Sequence, residues 1–136
     1  MKKISSILMI VLILIELCSC KKNMLFKKED LIGKWTGKTT YSQSPISGTQ
    51  YRIEMTFRAD DTVVVYEELT LVPNNTFYFN CIYNISNDSV IIDGQHVSGY
   101  YRVFKMKVLD NKQNMQGVWH IPNTTGFLGN ANLSKH

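Results

Sequence analysis

Tyr51-Arg52-Ile53-Glu54-Met55-Thr56-Phe57-Arg58 is followed by Ala59-Asp60-Asp61 and then by Thr62-Val63-Val64-Val65-Tyr66-Glu67-Glu68-Leu69-Thr70-Leu71. In the first run apolar side chains occupy the odd positions and charged or hydroxyl side chains the even ones. That period of two puts one strand face in a core and the other in water. The aspartates between the runs suit a tight reversal, because Asp tolerates left-handed backbone. The stretch predicts an antiparallel hairpin with one dry face.

The same grammar extends in both directions. Further strands are expected at about Lys34 to Tyr41, Thr76 to Ser86, Ser89 to Asp93, Gly99 to Leu109, Gln113 to Ile121 and Gly126 to Ser134. Between them stand Pro73-Asn74-Asn75, Asn87-Asp88, Asp93-Gly94, Asp110-Asn111-Lys112 and Pro122-Asn123-Thr124, all turn chemistry. No stretch after Leu31 sustains a helical period. The prediction is an all-β domain of eight antiparallel strands in a meander. Closing such a sheet on itself removes both edges, so a small up-and-down barrel is expected, with a two-sheet β-sandwich as the alternative. Parity assigns the inward faces, among them Trp35, Gly37, Thr39 and Tyr41; Val63, Val65, Glu67 and Leu69; Phe77, Phe79, Cys81, Tyr83 and Ile85; and Tyr100, Arg102, Phe104 and Met106. Of the fifteen aromatic residues only Phe26, Tyr66, Tyr78 and Tyr101 fall outside these inward sets. An eight-stranded interior is only wide enough to be filled by side chains or to hold one small ligand.

The N-terminal part obeys different rules. Lys2 and Lys3 precede an apolar run from Ile7 to Ile15, nine residues against the ~20 of a membrane-spanning helix. Leu17-Cys18-Ser19-Cys20 and a polar segment follow, the order of a secretory signal. Those four residues resemble the lipobox of bacterial lipoproteins. The resemblance implies residues 1–19 as a lipoprotein signal peptide, lipidation of Cys20, a lipidated tether over 20–30 and a barrel domain over 31–136. Phe26 is expected in the tether, at the lipid head groups. Lys21-Lys22 lacks a following acidic pair and so does not resemble the surface-export signal of Bacteroidota lipoproteins. The expected location is the bacterial cell envelope, on the periplasmic face of the outer membrane rather than the cell surface.

Charge and cysteines agree with this division. The chain carries a formal +4, but residues 1–30 alone hold six lysines against three acids, so the remainder is close to neutral. The basic excess belongs beside lipid head groups, and a nucleic-acid partner is not expected. With Cys18 removed and Cys20 acylated, Cys81 has no disulfide partner, and stability must come from burial.

Leu31-Ile32-Gly33-Lys34-Trp35 supplies a Gly-x-Trp at the start of the first strand. Together with the Phe57-Arg58-Ala59-Asp60-Asp61-Thr62-Val63 hairpin and Gly117-x-Trp119 followed by Gly126-Phe127, it resembles the lipocalin superfamily, and more closely the lipocalin-like domains of Bacteroidota lipoproteins. The chain departs from the lipocalin pattern in lacking a Thr-Asp-Tyr between strands and a late arginine to stack on Trp35. The resemblance implies an eight-stranded barrel that binds a small hydrophobic or amphipathic ligand.

Catalytic candidates are poor. Cys81 shares an apolar face with Phe79 and Tyr83, and His96, His120 and His136 are scattered without metal-ligand spacing. Enzymatic activity, a metal and a cofactor are not expected. Glu67 and Arg102 break the apolar parity of their strands. Either a bulge turns them outward, or they pair internally, or Arg102 meets the acidic head of an amphipathic ligand. In the last case Trp35, Glu67, Tyr100, Arg102, Phe104 and Trp119 are the expected ligand contacts. Asp61-Thr62-Val63 and Asp88-Ser89-Val90 resemble the O-glycosylation motif of Bacteroidota, which implies Thr62 and Ser89 as acceptors. The alternative function is a non-enzymatic interaction protein whose barrel surface or loops contact an envelope protein, glycan or protease.

Overall fold

The computed structural model describes residues 26–42, 48–69, 76–95, 97–99, 101–109, 111–123, 126 and 128–136. The signal segment, Cys20, His96, Tyr100, Phe127 and most of the Ser42 to Gly48 loop lie outside the described residues. A one-turn helix α1 (Lys28–Leu31) leads into β1 (Gly33–Tyr41), β2 (Gln50–Phe57), β3 (Thr62–Leu69), β4 (Thr76–Ser86), β5 (Ser89–Asp93), β6 (Val103–Val108), β7 (Asn114–His120) and β8 (Gly129–Lys135). Each strand is antiparallel to the next, and β8 returns to β1 over Trp35↔Lys135 to Tyr41↔Gly129. The eight strands form a closed barrel, not a sandwich.

The up-and-down order sorts the connections by length. At one end lie the short β2–β3, β4–β5 and β6–β7 turns together with α1; at the other, the mouth, lie the four longer connections. The short turns follow the expected chemistry. Asp61, Asn87 and Lys112 adopt left-handed backbone with φ of 62°, 57° and 54°. The Asp60 carboxylate accepts the Thr62 N–H at 3.2 Å and its hydroxyl at 2.6 Å, which fixes the β2–β3 reversal.

Parity places the core as expected: Trp35, Ile53, Met55, Val63, Val65, Phe104, Met106 and Trp119 are fully buried. Phe77 departs from it and is 46% exposed. β4 has eleven residues and β5 only five, and the two ladder over Ile82–Ser86 alone. The upper half of β4 is therefore paired with β3 alone and has no β5 residue beside it at the mouth. β6 starts at Val103, later than the predicted Gly99, because Gly99 turns at a φ of 77° and Arg102 uses its carbonyl to accept from Gly94.

The closed end corrects the tether assignment. Phe26 is 7% exposed within the core cluster and Leu31 is fully buried, so the packed body includes Phe26 and α1, ahead of residue 31. A helix of four residues cannot hold itself in water. Tertiary contacts hold this one: the Trp35 indole N–H donates to the Leu31 carbonyl at 2.8 Å, Lys112 pairs with Asp30 at 2.8 Å, and Lys28 pairs with Asp61 at 2.6 Å. Lys135 closes this end over Trp35: its ammonium lies 5.7 Å from the ring centroid and donates to the Asp30 carbonyl at 2.5 Å.

Candidate functional site

The breaks in apolar parity converge just inside the mouth. Glu67 is the sixth residue of β3, and Arg102 immediately precedes β6. Their strands are not neighbours, so only closure of the barrel brings the two together. Arg102 Nη1 donates to Glu67 Oε1, and Nη2 donates to the Tyr41 hydroxyl at 3.1 Å. Rings wall the guanidinium: its Cζ lies 4.7 Å from the centroid of Trp119, 5.2 Å from Tyr51 and 5.8 Å from Tyr41. Tyr41 meets Trp119 edge-on at 4.6 Å, and Phe104 backs Trp119 at 6.5 Å. The side chains of Glu67 and Arg102 are 3% and 14% exposed, so a nearly dry ion pair sits where apolar residues would ordinarily pack.

Burial pushes the Glu67 carboxyl above its ordinary value, and the Arg102 charge and hydrogen bond offset this only in part. Burial also raises the Tyr41 phenol. Two further polar atoms in the interior, Thr39 Oγ1 and Trp119 Nε1, are buried without a hydrogen-bond partner among the described residues. Gly129 makes room for the indole: a Cβ there would stand 2.4 Å from Trp119 Nε1. The small residue therefore accommodates a ring and does not line a pocket at that position.

Of the expected ligand contacts, the structure brings Glu67, Arg102, Phe104 and Trp119 together. Trp35 is not with them; it lies at the opposite end, beneath α1. Tyr100 is outside the described residues. Tyr41 and Tyr51 join the cluster although the sequence singled out neither. Their inward parity was visible, but the β1–β2 register that carries them to the same guanidinium was not. The Thr62 hydroxyl is bound to Asp60 and the Ser89 hydroxyl donates to Asp88 at 3.2 Å, both at the closed end. Turn chemistry accounts for both contacts. Cys81 is buried, and burial pushes its thiol up to about 12, which leaves little thiolate. Among the described residues no group of three or more His, Cys, Asp or Glu gathers.

A groove of about 540 Å³ lies outside the barrel, across β7, β8 and β1, lined by Thr36, Lys38, Asn114, Gln116, Asn132 and Ser134 among others. Among the described residues Lys38 is the one charged residue of its lining, in which these hydroxyls and amides alternate with Leu109, Met115 and Leu133. Comparison with protein-family models, with curated proteins and with solved structures finds no match to the chain.

Proposed function

We propose that this chain is a lipid-anchored, lipocalin-like protein of the bacterial cell envelope, held through Cys20 on the periplasmic face of the outer membrane. In this reading its mouth binds a small amphipathic molecule with an acidic head, and the protein is not an enzyme. The observation that carries the reading is the ring-walled guanidinium of Arg102, buried against Glu67 just inside the mouth. A buried ion pair is a poor device for stability, since apolar residues of similar volume do as well or better. It is a good device for recognition, because a guanidinium fork matches a carboxylate or phosphate and the surrounding rings match an apolar tail. The unpartnered Thr39 and Trp119 atoms add hydrogen-bonding capacity in the same interior.

Titration of the domain with dodecanoate and with dodecyl phosphate, followed by tryptophan emission, tests this. Trp119 is expected to report binding, and Arg102→Lys to weaken it by about tenfold, because an ammonium cannot make the bidentate contact. An emission response that Trp119→Phe leaves intact, or binding indifferent to Arg102→Lys, would overturn the mouth as the site.

A second reading has its own observation. The outer-wall groove over β7, β8 and β1 mixes amide and hydroxyl groups with apolar side chains, which suits contact with a glycan or an envelope protein. Loss of such contact in Asn132→Ala, with dodecanoate binding unchanged, would assign the two activities to separate faces.

A further inference from the structure

The course of the chain out of the barrel also orients the mouth. Phe26 is packed into the core, and α1, two residues on, is ion-paired to the β2–β3 and β6–β7 turns through Lys28–Asp61 and Lys112–Asp30. The point from which the N-terminal segment must depart, Phe26, therefore lies at the closed end. From Cys20 to Phe26 there are six Cα steps, which span at most about 20–22 Å fully stretched. β4 has eleven residues; at about 3.3 Å per residue and a tilt of about 35–45° the wall it forms stands roughly 26–30 Å tall. For the mouth to face the bilayer, the tether would have to run back along that entire wall and past the mouth connections. It is too short.

Resting on the reading that Cys20 is lipidated, we infer that the closed end lies against the membrane surface and the mouth opens into the aqueous phase. The molecule bound at the mouth is then exchanged with the aqueous compartment and not with the bilayer that holds the anchor. Charge agrees with this arrangement. Lys21 and Lys22 stand in the tether, and Lys27 and Arg58 are exposed at the closed end, where anionic head groups would meet them. Asp60 and Asp61 offset part of that attraction, so tether length decides the orientation. The rings suited to an interface, Phe77 at 46%, Tyr78 at 71% and Tyr101 at 58% exposed, lie instead on the upper half of β4 and beside the mouth, directed away from the lipid.

Single-cysteine variants of the full lipidated chain test this in phosphatidylethanolamine–phosphatidylglycerol vesicles that carry a spin-labelled head group. Ala59→Cys marks the closed end and Ser98→Cys the mouth, both exposed positions. Cys81 does not compete for the dye, being buried with its thiol pushed up to about 12. Head-group quenching is expected to be at least about twofold stronger at position 59 than at 98, as for sites separated by the length of the barrel. Ser86→Cys and Tyr101→Cys form a second pair should either of the first fail to fold. Equal quenching in a chain whose intact mass includes the acyl groups overturns the orientation and leaves the anchor standing. Stronger quenching at the mouth does the same and places the aromatic residues there in the lipid. An intact mass without acyl groups overturns the anchor reading and the orientation with it. The same mass reveals any sugar on Thr62 or Ser89, which would stand between the closed end and the bilayer.

Discussion

Arg102→Met alone is expected to lower the unfolding free energy by about 3–5 kcal/mol at neutral pH, because it leaves the Glu67 carboxylate buried and unpaired. The double variant Glu67→Leu/Arg102→Met is expected to recover most of that loss, since it removes both charges and leaves apolar side chains of similar size. The sign of the pH dependence follows from Glu67, whose carboxyl burial holds above its ordinary value even with Arg102 present. Between its unfolded and folded values the native state binds the extra proton, so stability is full below the unfolded value and falls as pH rises through the folded one. Removing Arg102 deletes the two influences that lower the carboxyl and leaves only desolvation, so the window widens upward. The penalty of Arg102→Met is thus expected to shrink in acid and to grow towards alkaline pH. Urea unfolding of the single and double variants across pH measures it. A pH-independent penalty, or a double variant no better than the single, would show that the pair is not the buried unit described.

Gly117→Ala and Gly37→Ala are expected to be nearly as damaging, for a reason unrelated to charge. A Cβ at Gly117 would stand 2.0 Å from the Lys105 carbonyl oxygen, and one at Gly37 would stand 1.8 Å from that of Asn132. Both oxygens belong to the backbone of a paired strand in a closed barrel, so neither can swing aside as a side chain would. Alanine in place of glycine ordinarily stabilises by ~0.4–1 kcal/mol through the unfolded chain where the native backbone accepts it. The clash outweighs that, and a loss of about 3 kcal/mol or more is expected, a fall in Tm of more than about 10 °C. Gly99→Ala is the control. Its φ is 77°, but a Cβ there meets nothing within 4 Å, so only the left-handed cost of about 1–2 kcal/mol applies. Thermal unfolding that ranked Gly99→Ala as the worst of the three would contradict the close strand approach.

The residues that made the fold legible are those with strict parity. Tyr51 to Phe57 and Val63 to Glu67 alternate so regularly that their buried faces follow from counting, because a strand has no other way to divide core from water. Glu67 and Arg102 stood out for the same reason, as charges on dry faces. What counting cannot see is distance across the barrel. Closure is a property of the β1–β8 ladder, and only closure sets Arg102 against Glu67 and carries Tyr41 and Tyr51 to the same guanidinium. Trp35 was grouped with the mouth because parity gives the face of a strand and not the height along it; it lies at the far end under α1. Phe26 and α1 escaped because four helical residues carry no periodicity and are held by tertiary contacts alone. Lys135 reaches the Trp35 ring through the β1–β8 ladder, a contact across a hundred residues that no local pattern reveals. Phe77 was placed inside because its parity is correct; the short reach of β5 leaves it exposed.

The Arg102–Glu67 cluster is either a seat for a small acidic amphiphile or simply part of a filled interior. Native mass spectrometry of the mature chain, extracted from the envelope of its own host without denaturation, measures this directly. The expected result is a species heavier than the acylated polypeptide by one small molecule, with the extra mass lost in Arg102→Lys. A wild-type chain that carries only its acyl groups would contradict it.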